Sequence, residues 1–194
     1  MTTTQPSTVF LKGKTTILRP IQKSDIPLLV RWVNDPRIRQ FVGSYGQHTE
    51  ESEEKWVTRL IDDRANMVFI VALRDGTPIG TMGLHRIDWK DRIATTGAML
   101  GEPEYWGKGY GTDAKMALLE YAFDELGLHK VCSTVISYNM RSLRYSLHCG
   151  YRIEGTRKSH IFKRGRYWDL VELGVFRHQW RPVWRHWLKT GRIR

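Results

Sequence analysis

The sequence predicts an α+β fold in which helices cover a sheet. Three observations lead to this prediction. Strand-like and amphipathic helical segments occur in mixed order, two strands flank a hairpin turn, and a glycine-rich turn connects a strand to a helix. With 194 residues, of which 41% are hydrophobic, the chain can bury one sizeable core. We therefore expect a single domain over most of its length.

In the first half of the chain, apolar periodicity and capping residues predict helices at residues 24–33 and 49–62. The first helix stops at the Asn-Asp-Pro sequence of residues 34–36, and the second has acidic residues in its first turn. Strands are predicted at residues 15–19, 67–73 and 78–84. The Asp-Gly sequence at residues 75–76 is typical of a hairpin turn and joins the last two strands.

The second half of the chain begins with a strand, a glycine turn and an amphipathic helix in direct succession. The strand covers residues 92–100, and the helix covers residues 112–126 and stops at Gly127. After these, the pattern predicts a strand at 130–136, a short helix at 142–148, and strands at 152–156 and 167–176.

The glycine turn is the most informative feature. Gly107, Gly109 and Gly111 carry no Cβ atom, so they allow positive φ angles and let a ligand approach the backbone N–H groups. The helix that follows offers unpaired donors and a positive dipole end, which together predict a phosphate or pyrophosphate site. An ordinary structural turn is the alternative. The spacing fits neither a Walker A loop nor a dinucleotide fingerprint, since Thr112 replaces the third glycine.

Two blocks of the sequence resemble the GNAT superfamily of acetyl-CoA dependent N-acetyltransferases. Trp106-Gly-Lys-Gly-Tyr-Gly111 is similar to the family's pyrophosphate loop, Gln/Arg-x-x-Gly-x-Gly/Ala, with Trp106 replacing the polar first residue. Asn139-Met-Arg-Ser142 with Gly150-Tyr151 is similar to its second block, Asn-x-x-Ala/Ser followed by Gly-Phe/Tyr. The resemblance covers roughly residues 9 to 180. It implies a GNAT-type mixed, mostly antiparallel sheet flanked by helices.

Further matches resemble the branch that contains the ribosomal-protein N-acetyltransferases (RimJ/RimL-like). They are residues 34–36, residues 105–112, Glu154-Gly155, and Tyr167 with Asp169. The domain organisation that we expect is an N-terminal tail at 1–8, a GNAT N-acetyltransferase domain at 9–178, and a basic, tryptophan-rich C-terminal tail at 179–194.

The resemblance implies acetyl-CoA as co-substrate. Backbone N–H groups of the loop would hold the pyrophosphate, the amide of Met99 or Leu100 would polarise the thioester carbonyl, and Asn139 would bind the pantetheine arm. The alternative role for Asn139 is to cap the next helix. The cofactor-binding residues expected on this basis are Met99, Leu100, Gly107, Lys108, Gly109, Tyr110, Gly111, Thr112, Asn139 and Ser142.

The proton donor to the leaving thiolate is expected to be Ser142. Many relatives carry a tyrosine seven residues after the asparagine, but Ser146 occupies that position here and Tyr145 stands one place earlier. Tyr145 and Ser146 are the further candidates. Local packing is the alternative role for Ser142.

The general base is harder to assign, since the strand at 92–100 has Thr95 and Thr96 where many relatives place a glutamate. The candidates are Glu154, Asp169, Glu172 and His85. At pH 7, deprotonating a lysine-like amine costs roughly 4.6 kcal/mol, against roughly 1.2 kcal/mol for an α-amine. A site without an evident strong base therefore favours a peptide or protein N-terminal α-amine as acceptor, or a water chain that leads to a distant carboxylate. A polyamine, an aminoglycoside or another small amine is the alternative, and a non-catalytic CoA-sensing or RNA-binding module is the alternative of another class.

Positive charge is concentrated in the last fifth of the chain. Residues 157–194 contain eleven Lys or Arg against two acidic residues, so they carry +9 of the total formal charge of +11. Within this segment Trp180, Trp184 and Trp187 recur at helical spacing. We expect these tryptophans to pack on the domain or on a second subunit of a homodimer. An RNA or ribosome contact is one alternative, because clustered cations neutralise phosphates and aromatic rings stack on bases. Binding to a membrane surface is another.

Composition also limits the class of protein. The chain has no apolar stretch near the roughly 18 residues that span a bilayer, and its first residues lack a signal-peptide pattern, so we expect a cytoplasmic protein. Its two cysteines are expected to be free thiols. We expect no metal site, because no Cys/His group has zinc-ligand spacing.

Overall fold

The structure is a computed structural model that describes residues 8–43 and 45–191. Its strands are β1 (Leu11–Lys12), β2 (Thr16–Pro20), β3 (Met67–Leu73), β4 (Pro78–Asp88), β5 (Ile93–Leu100), β6 (Lys130–Ile136), β7 (Arg152–Lys163) and β8 (Arg166–Phe176). Its α-helices are α1 (Ile26–Asn34), α2 (Pro36–Arg39), α3 (Glu50–Leu60), α4 (Tyr110–Glu120), α5 (Met140–His148) and α6 (Arg177–Thr190). A π-helical turn, Tyr121–Glu125, extends α4.

The strands form one eight-stranded sheet in the order β1-β2-β3-β4-β5-β6-β8-β7. Every neighbouring pair is antiparallel except β5 and β6, which are parallel. This confirms the predicted mixed, mostly antiparallel sheet flanked by helices.

The parallel pair separates partway along its length. β5 and β6 are paired from Ile93 opposite Lys130 to Thr95 opposite Cys132, and the pairing ends there. β6 nevertheless stays paired with β8 as far as Ile136, and β5 stays paired with β4 as far as Leu100. Residues 96–100 and 133–136 therefore border a gap in the sheet, which we call the fork.

The helices cover the two faces of the sheet in two groups. One core cluster joins the sheet to α4, α5 and α6 and contains Leu118, Phe123 and Trp180. A second cluster joins the opposite face to α1, α2 and α3 and contains Leu29 and Trp32. The fork therefore lies between two layers of helices, here called the α4–α6 face and the α1–α3 face.

The C-terminal tryptophans pack on the domain itself. Trp180, Trp184 and Trp187 are at most 8% exposed, and the rings of Trp180 and Trp184 stack with centroids 5.3 Å apart. The predicted boundary after residue 178 falls inside α6, which begins at Arg177. Most of the predicted N-terminal tail, residues 1–7, and residues 192–194 lie outside the described residues.

β7 is longer than predicted, because it extends from Arg152 to Lys163 instead of ending at residue 156. It pairs with β8 around a turn in which Arg164 and Gly165 both have positive φ angles. Most of its side chains are exposed and polar, so the strand lacks the apolar alternation that reveals a half-buried strand. No helix in the described part of the chain is long and apolar enough to span a membrane.

Candidate active site

The glycine turn presents backbone amides at the start of α4. Gly107 and Gly109 have φ angles of +74° and +88°, which favour glycine, and open space lies where their Cβ atoms would be. Gly109 is the N-cap residue, and no side chain caps this helix end. The first-turn amides can therefore donate to an anion, and the positive end of the helix dipole adds to that attraction.

A buried carboxylate fixes the beginning of α4. Asp113 is 1% exposed, and its oxygens accept hydrogen bonds from the backbone N–H groups of Lys14, Thr15 and Thr16, each at 2.8 Å. Both threonine hydroxyls also donate to this carboxylate. The turn before β2 thus holds the helix terminus in place, so the amides above it are preorganised.

Strand alternation decides which β5 amides face the fork. The Gly101 N–H donates to the Ile79 carbonyl at 2.9 Å, and Thr81 is paired with Met99. In an antiparallel ladder this pattern directs the Met99 amide to β4 and the Leu100 amide away from it, into the fork. Of the two amides proposed from sequence to polarise the thioester, the geometry therefore favours Leu100 over Met99.

Trp106, the unusual first residue of the loop, ties the loop to the end of β5. Its indole N–H donates to the Leu100 carbonyl at 2.8 Å, and the Arg141 guanidinium lies 4.3 Å from its ring centroid. The sequence comparison treated Trp106 only as a departure from the family pattern. Its structural role was predictable in principle, because the indole N–H can donate a hydrogen bond, as can the Gln or Arg that usually occupies this position.

Asn139 and Ser142 lie together at the start of α5, directly after the fork edge of β6. The Asn139 side-chain oxygen accepts a hydrogen bond from the Ser142 N–H at 3.2 Å. Asn139 therefore caps α5, which is the alternative role considered for it from sequence. Its amide nitrogen is directed by this cap away from the helix terminus. Ser142 is half-buried in the first turn.

Tyr145 packs on a buried lysine. The Lys115 ammonium lies 4.5 Å from the Tyr145 ring centroid and 3.3 Å from the Thr96 hydroxyl at the base of the fork. Burial raises the pKa of the Tyr145 phenol far above its usual range and lowers that of Lys115 to about 8. The neighbouring Ser146 is buried, and its hydroxyl finds no hydrogen-bond partner among the described residues.

The three carboxylates considered as general bases are all held in ion pairs. A Glu154 oxygen lies 2.7 Å from the Lys130 ammonium, and an Asp169 oxygen lies 2.9 Å from that of Lys158. Glu172 accepts a hydrogen bond of 2.7 Å from the Arg157 Nε. The fourth candidate, His85, lies on β4 with its ring over Gly97 of β5.

Two cavities accompany these features. One of about 270 Å³ lies on the α1–α3 face and is lined by Trp56, Arg59, Leu60, Asp63, Asn66 and His85. Another of about 390 Å³ lies where α6 begins and is lined by Arg92, Gly127, Leu128, His129, Arg177, His178 and Arg181. Within residues 8–43 and 45–191, no three His, Cys, Asp or Glu side chains are grouped to hold a metal ion.

A split sheet beside an uncapped, glycine-bearing helix terminus defines a class of CoA-dependent acyltransferases. The sequence model of the acetyltransferase (GNAT) domain matches residues 15–152. The chain belongs to this family and is an N-acetyltransferase.

Individual relatives agree with this assignment. The probable N-acetyltransferase YjcK of Bacillus subtilis is 30% identical over 176 residues, which cover 85% of this chain and 96% of the relative. The spermidine N(1)-acetyltransferase of Escherichia coli is 27% identical over 165 residues, which cover 84% and 87%. The solved spermidine N-acetyltransferase of Vibrio cholerae, in complex with CoA and spermine, superposes with a TM-score of 0.81 at 24% identity and covers 87% of this chain and 99% of its own.

These comparisons confirm the predicted superfamily and enzyme class. They do not single out the ribosomal-protein branch that the sequence motifs resembled. Among the acceptors considered from sequence, they give more support to the polyamine alternative than to the peptide N-terminus, because spermidine is the substrate named for the Escherichia coli and Vibrio cholerae relatives.

Proposed function

We propose that this protein transfers the acetyl group of acetyl-CoA to a primary amine of a small polyamine-type acceptor, by direct attack in a ternary complex. The fork that opens beside the uncapped start of α4 is the observation that carries this proposal. The gap between the two strands can hold the extended pantetheine arm with its thioester, and the adjacent helix start can hold the pyrophosphate. The similarity to spermidine acetyltransferases over most of the chain supports the acceptor class.

In the proposed complex, the amides of Lys108 to Thr112 hold the pyrophosphate and the pantetheine arm lies in the fork. The Leu100 amide donates to the thioester carbonyl and stabilises the oxyanion that forms during attack. The side-chain amide nitrogen of Asn139 is available to the pantetheine arm, because only its oxygen is used in capping α5.

The reaction forms a bond from the amine nitrogen to the acetyl carbon and breaks the carbon–sulfur bond of CoA. The thiolate that leaves takes up one proton, and we assign its donation to Ser142 at the start of α5. A thiol pKa of about 8.5 makes the thiolate a tolerable leaving group, so a weak acid is sufficient. Tyr145 is less suited, since its ring packs on Lys115.

A peptide N-terminal α-amine is the second candidate acceptor. The observation in its favour is that Glu154, Asp169 and Glu172 are all engaged by cations, which leaves no free carboxylate among the candidate bases. An α-amine needs less help to lose its proton than a polyamine does. A homodimer and an RNA or ribosome contact through α6 remain predictions from sequence.

The test is thiol release from acetyl-CoA in the presence of spermidine, an N-terminal peptide, an aminoglycoside and free amino acids. We expect spermidine to give the highest kcat/KM. The highest value for the peptide would favour the second candidate. Binding of CoA without acceptor-dependent thiol release from any of these amines would indicate a CoA-sensing module and contradict the proposal.

A further inference from the structure

Three polar side chains on the α1–α3 face form a hydrogen-bonded chain. The Asn66 side-chain nitrogen donates to a carboxylate oxygen of Asp63 at 2.8 Å, and the Asn66 side-chain oxygen lies 3.2 Å from the Nδ1 of His85. A carboxylate only accepts, so it fixes the orientation of the Asn66 amide. The amide oxygen must then accept from His85, which places the imidazole proton on Nδ1 and leaves a lone pair on Nε2.

The free nitrogen of His85 points across β5 at the fork. A Cβ atom on Gly97 would lie 2.7 Å from the His85 Nε2, so the ring occupies this position only because residue 97 is a glycine. Gly97 is the second residue beyond Thr95, the last residue of β5 that is paired with β6. The next residue, Ala98, lies two positions before Leu100, so strand alternation directs its amide into the fork as well.

The environment keeps His85 neutral near pH 7. Burial and the positive charge of Arg86 lower its pKa below the usual value, while Asp63 opposes this shift. Arg59 of α3 also lines the cavity and carries a charge, as does Asp63. A neutral imidazole with a lone pair on Nε2 can accept a proton.

The cavity of about 270 Å³ lies against His85 on the side of the sheet opposite α4. Trp56, Leu60 and the Asp63 carboxylate are among its walls. An indole face and a carboxylate suit a cationic aliphatic amine, through cation–π attraction and charge pairing. The ring of His85 is thus a wall of this cavity and lies over Gly97 at the edge of the fork, on the face that the proposed pyrophosphate site does not use.

We infer that His85 is the general base of the acetyl transfer and that the cavity beside α3 admits the acceptor amine; the inference rests on the proposed function. The acceptor ammonium first gives one proton to the His85 Nε2, directly or through one water, and the free amine then bonds to the acetyl carbon. The nitrogen loses its second proton to solvent as the carbon–sulfur bond breaks. The electron pair of the broken carbon–sulfur bond leaves with the CoA thiolate. The imidazolium then returns its proton to solvent. Asn66 and Asp63 are positioning residues that hold the tautomer.

His85→Gln is the direct test, with His178→Gln in the distant basic cavity as the matched control. We expect His85→Gln to lower kcat/KM for spermidine at pH 7 by about 10²-fold or more, with unchanged CoA affinity, and the control to keep wild-type kinetics. The wild-type rate should fall on acidification below about pH 6.5, and this acid limb should disappear in the variant. The loss of kcat/KM in His85→Gln should also become smaller near pH 10, because the acceptor amine there loses its proton to solvent.

Gly97→Ala tests the position of the ring without altering its chemistry. The added methyl group displaces His85, so kcat should fall while CoA still binds; Gly155→Ala, whose Cβ would meet its nearest atom at 3.6 Å, is the control. Asn66→Ala should lower kcat more than it raises KM and should move the acid limb.

A His85→Gln enzyme with the wild-type rate and acid limb would overturn the inference. A wild-type protein that acetylates none of the amines would instead refute the proposed function.

Discussion

At the scale of single residues, the φ angle of +88° at Gly109 makes this position a sharp probe of the cofactor site. Gly109→Val should weaken CoA binding at least tenfold, because a branched side chain would stand where the phosphates approach the start of α4 and would strain the N-cap. Isothermal calorimetry measures the affinity.

Gly76→Val is the matched control for Gly109→Val. Gly76 lies in the β3–β4 turn with a φ angle of +92° and similar open space around it, but away from the proposed site. Both variants should lose about 1–2 kcal/mol of stability from the left-handed backbone. Only Gly109→Val should lose CoA affinity, and equal affinity in the two folded variants would contradict the placement of the pyrophosphate.

Lys115 links burial at one residue to the pH dependence of stability. Its pKa of about 8 in the folded protein lies below the value of about 10.4 in an unfolded chain. Between these values the unfolded state binds more protons, so stability rises as the pH increases through that window. Below pH 8 the full cost of burying the charge is present, and it corresponds to about 3 kcal/mol.

Lys115→Met should therefore stabilise the protein at pH 7 by up to about 3 kcal/mol, and the advantage over wild type should vanish near pH 10.5. Urea unfolding of both proteins at pH 7, 8.5 and 10 measures the difference, in which contributions from other titrating groups cancel. A difference that does not vary with pH would show that Lys115 keeps an ordinary pKa in the folded state.

At the scale of elements, α6 joins a buried aromatic face to a basic exposed one. Trp180 is 0% exposed and its ring centroid lies 5.3 Å from that of Phe123, whereas Leu188 on the same helix is 53% exposed. Trp180→Ala should cost about 3–5 kcal/mol, and Leu188→Ala should stay within about 0.5 kcal/mol. Thermal melts would reveal the contrast. Similar melting temperatures for the two variants would argue that α6 does not dock as described.

The basic face of α6 is partly neutralised within the fold. Arg177 and Arg181 both donate to the carboxylate of Asp124, at 2.9 and 3.0 Å. Two of the cations that suggested an RNA contact therefore have a structural role, because they attach α6 to the end of the helical segment before β6. Titration with RNA at two salt concentrations would measure what binding the remaining cations support.

At the scale of the whole molecule, the sequence was sufficient for the fold class and the glycine turn, because both depend on local patterns. Gly107 and Gly109 mark a turn that only glycine adopts easily. The chain from Asp63 through Asn66 to His85 was not predictable in the same way, since tertiary packing brings a loop onto β4 and no spacing rule reports that. The burial of Lys115, which is 1% exposed, has no local sequence signal either, because lysine side chains are almost never fully buried.

The central claim is that CoA lies in the fork, with its pyrophosphate on the start of α4. A crystal structure of the protein with CoA is the most direct test. The account predicts the pantetheine arm between β5 and β6, hydrogen-bonded to the Leu100 amide, and the pyrophosphate against the amides from Lys108 to Thr112. An empty fork, with CoA bound instead in the basic cavity beside Arg92 and Arg177, would contradict it.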